Sequence, residues 1–149
     1  MWIDDRGSEV VPISQCRRLL AIGAKMRFHG HLGISKEGAP LVLPLDYVAD
    51  GSDVIIRVGD QIVRHIDGEL VAFQVDNAAY EQATDGNGTE GTWSVLVRGL
   101  VTGWPEPPEG VDLPHPRVAE PGHRLLRIRG DVITGRRLRR SGEADQAAP

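Results

Sequence analysis

The chain has 149 residues, of which 40% are apolar and 26% charged, and its formal net charge is −4. That length supports one hydrophobic core rather than two, and the mild negative balance removes any global attraction to nucleic acid or anionic lipid. One cysteine excludes an intrachain disulfide and suits a reducing compartment.

No run approaches the roughly 18 apolar residues of a membrane span, and the N-terminus carries no basic flank followed by an apolar core. The expected setting is the cytoplasm. Eighteen glycines and ten prolines imply many turns and a β-rich fold.

In chain order, residues 1–12 read as a flexible start. Ser14 is expected to cap a helix running to about Ala24, with Ile13, Cys16, Leu19, Leu20 and Ile22 inward and Gly23 ending it. Cys16 reads as a small buried hydrophobe, since nothing around it would lower a thiol pKa. Phe28 to Ser35 alternates like a strand, with Leu32 and Ile34 on one face. His29 and His31 share the other face as polar residues; no nearby Cys or Glu completes a ligand spacing around them.

The middle of the chain carries three apolar runs, Leu41–Val48, Val54–Val58 and Leu70–Val75. Ala49-Asp50-Gly51-Ser52 marks a hairpin between the first two, because Gly supplies the positive φ of a tight turn. Asp60 to Ile66 is predicted as a short helix with Asp60 at its cap. Asn77 to Thr92 is polar, with a loop tip at Asp85-Gly86-Asn87-Gly88, and Trp93 to Val101 is a long strand. Trp104 to Pro121 is proline-dense and reads as an irregular cover. Leu125–Arg129 and Val132–Arg136 are expected to close the fold as a pair around Gly130-Asp131, and residues 139–149 read as a disordered tail. The elements sum to a mainly β protein, six or seven strands in a small antiparallel barrel with a leading helix and a short inserted one, closed so that no edge is exposed.

The order ISQCRRLLA, HLGIS, PLVLPLDYVADG, VIIR, VAFQVD, WSVLVRG and RIRGDVITGRR resembles the pyridoxamine 5′-phosphate oxidase-like flavin-binding split barrels. The resemblance is particularly to the small actinobacterial-type members related to the nitroimidazole-resistance proteins, and it implies a six-stranded antiparallel split β-barrel. The resemblance spans about Ile13 to Leu138. It implies a split-barrel domain over 13–138, a homodimer with a flavin at the subunit interface, and FMN as the usual cofactor, with deazaflavin or haem in neighbouring branches.

By the same resemblance, Leu45, Asp46 and Tyr47 would line the isoalloxazine largely through backbone, and Trp93 would shield it; barrel packing is the alternative for Tyr47 and Trp93. The relatives' phosphate motif, Arg-Thr-x-x-Gly-Thr-Lys, aligns with Arg57 to Val63. Arg57 matches, although a surface ion pair would also explain it. Val58 stands in place of a hydroxyl, Gln61 and Ile62 replace Gly-Thr, and Val63 takes the lysine position, leaving Arg64 as the substitute cation. A carboxylate cap at Asp60 would occupy helix-start donors and repel a phosphate.

Two functions follow: a flavin-dependent oxidoreductase of a small molecule, or a dimer that has lost or exchanged its cofactor. Pyridoxamine phosphate oxidation is not expected to follow from fold alone. The basic stretch Arg136–Arg140 reads as a solvated end rather than a nucleic-acid site.

Overall fold

The structure is a computed structural model and describes residues 9–80, 91–103, 109 and 122–138. The expectations for residues 1–8, 81–90, 104–108, 110–121 and 139–149 therefore lie outside the described residues. The elements run β1 Glu9–Val11, α1 Ile13–Lys25, β2 Gly30–Lys36, β3 Ala39–Leu45, β4 Tyr47–Asp50 and β5 Asp53–Val58. They continue with α2 Asp60–Ile66, β6 Leu70–Asp76, a 3-10 turn Ala78–Tyr80, β7 Thr92–Gly103, β8 Arg124–Ile128 and β9 Val132–Leu138.

Helix α1 buries Cys16, Leu19, Leu20 and Gly23, the i, i+3, i+4, i+7 stripe of an amphipathic helix. Three details of the sequence reading change here. Pro12, not Ser14, is the N-cap, since a fixed φ suits a helix start. Ile13 is exposed, at the first position of the helix. Gly23 does not end the helix; it lies on the buried stripe, where a Cβ would come within 2.5 Å of Tyr47 Oη. The exit is instead made by Arg27 at φ 58, with Phe28 N donating to Gly23 O and Arg27 N to Ala24 O, the paired bonds of a left-handed C-terminal cap.

Nine strands form among the described residues, not six, and the sheet does not close. The first sheet runs β3-β2-β6-β7-β9-β1, and the second runs β4-β5-β8 onto the last residues of β7. The run Leu41–Val48 is two strands broken at Asp46: β3 pairs with β2, and β4 with β5. The break splits the barrel. The edge strand β3 holds Pro40 and Pro44, which lack the N–H that a further strand would need.

Strand β7 ties the two sheets together. One of its edges meets β6; the other meets β9 over Thr92–Arg98 and then β8 over Val101–Gly103. The expected closing pair β8–β9 is therefore not a pair: the two strands lie end to end along one edge of β7. Their connection crosses at Gly99, where the carbonyl of Arg129 occupies the space a Cβ would need. Glu9–Val11, read as flexible, is β1 and pairs with Arg137–Gly135 of β9.

The core lies between the sheets and α1, with Trp93, Phe73, Leu19, Leu20 and Leu32 fully buried. Arg127 clamps the β4–β5 hairpin by donating to Asp50 and Asp53, each at 2.9 Å. Burial would depress the Arg127 pKa; the two carboxylates outweigh that and hold it above its ordinary value.

Candidate functional site

Strand pairing brings three separate segments to one end of the second sheet. Tyr47 lies opposite Ile56, Arg57 opposite Leu125, and Val58 opposite Arg124. Residues 45–47, 56–58 and 122–125 are thus neighbours, and α2 departs from the middle segment. Leu45 also faces Gly30 in the first sheet, so Asp46 occupies the corner between sheets, with His29 Nδ1 3.6 Å from its carboxylate. Strands β3 and β4 are the two ends of the strand order. Each has one edge without a strand partner among the described residues.

Arg57 is half-buried, and its Nε is sealed from solvent with no hydrogen-bond partner. Leaving such a donor unmet costs roughly 1–3 kcal/mol. Gln61 and Arg64 are exposed on α2, Arg64 one turn beyond Asp60. Val58 and Val63 face the core, so the two positions where relatives carry a hydroxyl and a lysine contribute nothing polar to the junction.

Asp60 is not the cap that sequence suggested. Gly59 is the N-cap, and the Asp60 side chain makes no capping bond. Its carboxylate instead meets Arg124, with Nε 3.0 Å from Oδ1, and packs on Gly122, where φ is 73 and no Cβ would fit. The negative charge beside Arg57 is thereby countered from β8.

The aromatic candidates lie elsewhere. Trp93 is 1% exposed and sits in the core, its ring 6.1 Å from that of Phe28. Tyr47 is buried edge-on to Phe73 at 5.2 Å, and its hydroxyl donates to Leu20 O at 2.6 Å; burial pushes its pKa up. Of the two readings for these rings, packing is the one observed. The Leu45 side chain is buried as well, whereas the Asp46 side chain is partly exposed beside His29. His29 and His31 contact Asp46 and Gln74 respectively.

The sequence reading did not single out Gly122, His123 and Arg124, which the structure brings to this junction. Their only signal was a basic pair opening a strand after the proline-dense segment. A phosphate fits this junction through the unmet Arg57 donor and the countered Asp60, with fewer polar groups than the relatives' motif supplies.

This arrangement, two antiparallel sheets sharing one long strand and parted at a corner, defines a split barrel. A profile of the pyridoxamine 5′-phosphate oxidase family matches residues 14–137, and the chain belongs to that family. Among solved structures it is similar to an FAD-binding protein from Mycobacterium smegmatis at 21% identity and TM-score 0.62, covering 89% of this chain and 99% of that one. An FAD-binding protein from Mesorhizobium loti aligns at 21% identity and TM-score 0.59, with 89% and 99% covered. A Bacteroides thetaiotaomicron protein named for 5-nitroimidazole antibiotic resistance aligns at 13% identity and TM-score 0.55, with 87% and 86% covered. No curated protein matches. Among the described residues no helix is long and apolar enough to cross a membrane.

Proposed function

We propose that the chain binds a flavin at the β5–α2 junction, FMN first, and acts as a flavin-dependent oxidoreductase on a small molecule. The observation that carries this is the buried Nε of Arg57, which has no hydrogen-bond partner among the described residues, near the corner where β3 gives way to β4. Arg57 would hold the phosphate, with Arg64 and Gln61 at its rim, and the backbone of Leu45, Asp46 and Tyr47 would meet the ring system. A bound flavin supplies the redox chemistry, so the chain needs no catalytic triad of its own. The FAD-binding names of two similar structures support a flavin over deazaflavin or haem. The test is the absorption spectrum of the purified protein, followed by titration with FMN and FAD. Flavin bands or submicromolar binding are expected. A colourless protein that binds neither flavin overturns the reading, and a Soret band replaces it with haem.

A second reading, a dimer that has lost or exchanged its cofactor, is favoured by one observation: Val58 and Val63 point into the core. Under it, FMN binds only after polar groups are restored there.

The site belongs to a homodimer on the same proposal. The outer face of the first sheet exposes Leu70 at 74% opposite Leu100, and Val42 at 62%. A second copy would cover this apolar surface. Light scattering at micromolar concentration is expected to show a dimer, and Leu70→Glu with Leu100→Glu a monomer; a monomeric wild type removes the dimer.

A further inference from the structure

We infer that His123 is a second phosphate-holding residue, acting with Arg57 in place of the lysine that this chain lacks; this rests on the flavin reading above. Among the described residues, three buried side-chain atoms have no hydrogen-bond partner: Arg57 Nε, Asp60 Oδ1 and His123 Nδ1. All three belong to the β5–α2–β8 junction. Asp60 Oδ1 still has an ion-pair partner, since Arg124 Nε lies 3.0 Å away. The two that remain unmet are Arg57, on β5, and His123, the residue just before the adjacent strand β8.

The placement of His123 is held from both sides. Gly122, at φ 73, presses against the Asp60 carboxylate. Arg124 pairs with that carboxylate and stands opposite Val58 in the strand register. His123 therefore sits one step beyond the Val58–Arg124 pair, beside Gly59. Its ring is half-buried, and no group of the described chain meets the sealed Nδ1. Buried polar atoms in folded proteins are nearly always paired, so two orphans at one junction point to a missing acceptor.

Arg57 Nε only donates, and an imidazole Nδ1 donates in one tautomer or when protonated. A group that satisfies both must accept from two directions at once, as phosphate oxygens do. Each flanking residue of His123 is occupied with Asp60, which leaves the imidazole for the ligand. The phosphate of FMN and the diphosphate of FAD present the same chemistry.

The experiment titrates wild type, His123→Leu and His123→Asn with riboflavin, FMN and FAD, alongside thermal melting of each variant. Asn keeps an N–H donor near the Nδ1 position, and riboflavin lacks the phosphate. His123→Leu is expected to weaken binding of the phosphorylated flavin by about ten- to a hundredfold while riboflavin affinity holds; His123→Asn recovers most of the loss. Loss with FMN alone identifies the monoester as ligand, and loss with FAD as well admits the diphosphate. Equal weakening of riboflavin and FMN by His123→Leu, or unchanged FMN affinity, overturns the role of His123 and leaves the flavin reading standing. Wild type that binds none of the three flavins overturns both.

Discussion

The core around Trp93 and the β5–α2 junction treat their polar atoms in opposite ways. In the core, Tyr47 Oη donates to Leu20 O, and Trp93 N donates to Asn77 Oδ1 at 2.8 Å. At the junction, Arg57 and His123 keep buried nitrogens without partners. The residues that look most suited to a flavin by type, Tyr47 and Trp93, are structural. The residues left unsatisfied by the fold are a strand arginine and a histidine at a strand entry. The flavin site proposed above therefore rests on unmet donors rather than on aromatic character, because burying a donor without an acceptor is tolerated only where a ligand or other group completes it.

Mutations should separate the two regions. Trp93→Ala removes a fully buried side chain and is expected to lower unfolding free energy by about 3–5 kcal/mol, measured by urea unfolding. If unfolding were unchanged, Trp93 would not belong to the core. Arg57→Ala should do the reverse. Stability holds within about 1 kcal/mol, while FMN affinity drops about ten- to a hundredfold, read by flavin fluorescence. Tight FMN binding that survives loss of Arg57 and Arg64 together places the phosphate elsewhere.

Smaller effects sharpen the contrast. Tyr47→Phe deletes one buried hydrogen bond and should lower stability by about 1 kcal/mol. The same phenol makes a pH signature. Its pKa is raised by burial, so above the ordinary tyrosine value near 10 the unfolded chain loses a proton that the folded one retains. Stability is then fully present below that pH and falls as pH rises through it. Melting curves across alkaline pH should fall more steeply for wild type than for Tyr47→Phe; identical slopes would exclude the phenol.

Asp60→Asn gives the mildest change. The ion pair with Arg124 is partly exposed on both sides, so stability should shift by less than about 1 kcal/mol. FMN affinity should rise about two- to fivefold, because a carboxylate near the proposed phosphate position is neutralised. Weaker binding would mean that the Asp60–Arg124 pair positions the junction rather than opposing the ligand.

Much of the local structure was legible in the sequence because it depends on short-range periodicity. The stripe of α1, the alternation of β6 and β7, and the Asp50-Gly51-Ser52-Asp53 turn follow from residue spacing and from the freedom of Gly51 at φ 62. The order of these blocks carried the family resemblance, and Arg57 stood out by matching the relatives' motif.

Partner choice was not legible. Leu41, Leu43, Leu45 and Tyr47 keep one alternation across the break at Asp46, so changing sheets left no mark on the hydrophobic pattern. Strands β8 and β9 look like a hairpin in sequence, yet each pairs with a different stretch of β7. Asp60 looked like a cap because sequence shows a carboxylate at a helix start and cannot show an arginine 64 positions later reaching it. His123 acquires its meaning the same way, from a register that places β8 beside β5. Periodicity along the chain determined the elements; contacts between distant segments, which only the tertiary structure brings about, decided which buried side chains are satisfied and which have no hydrogen-bond partner among the described residues.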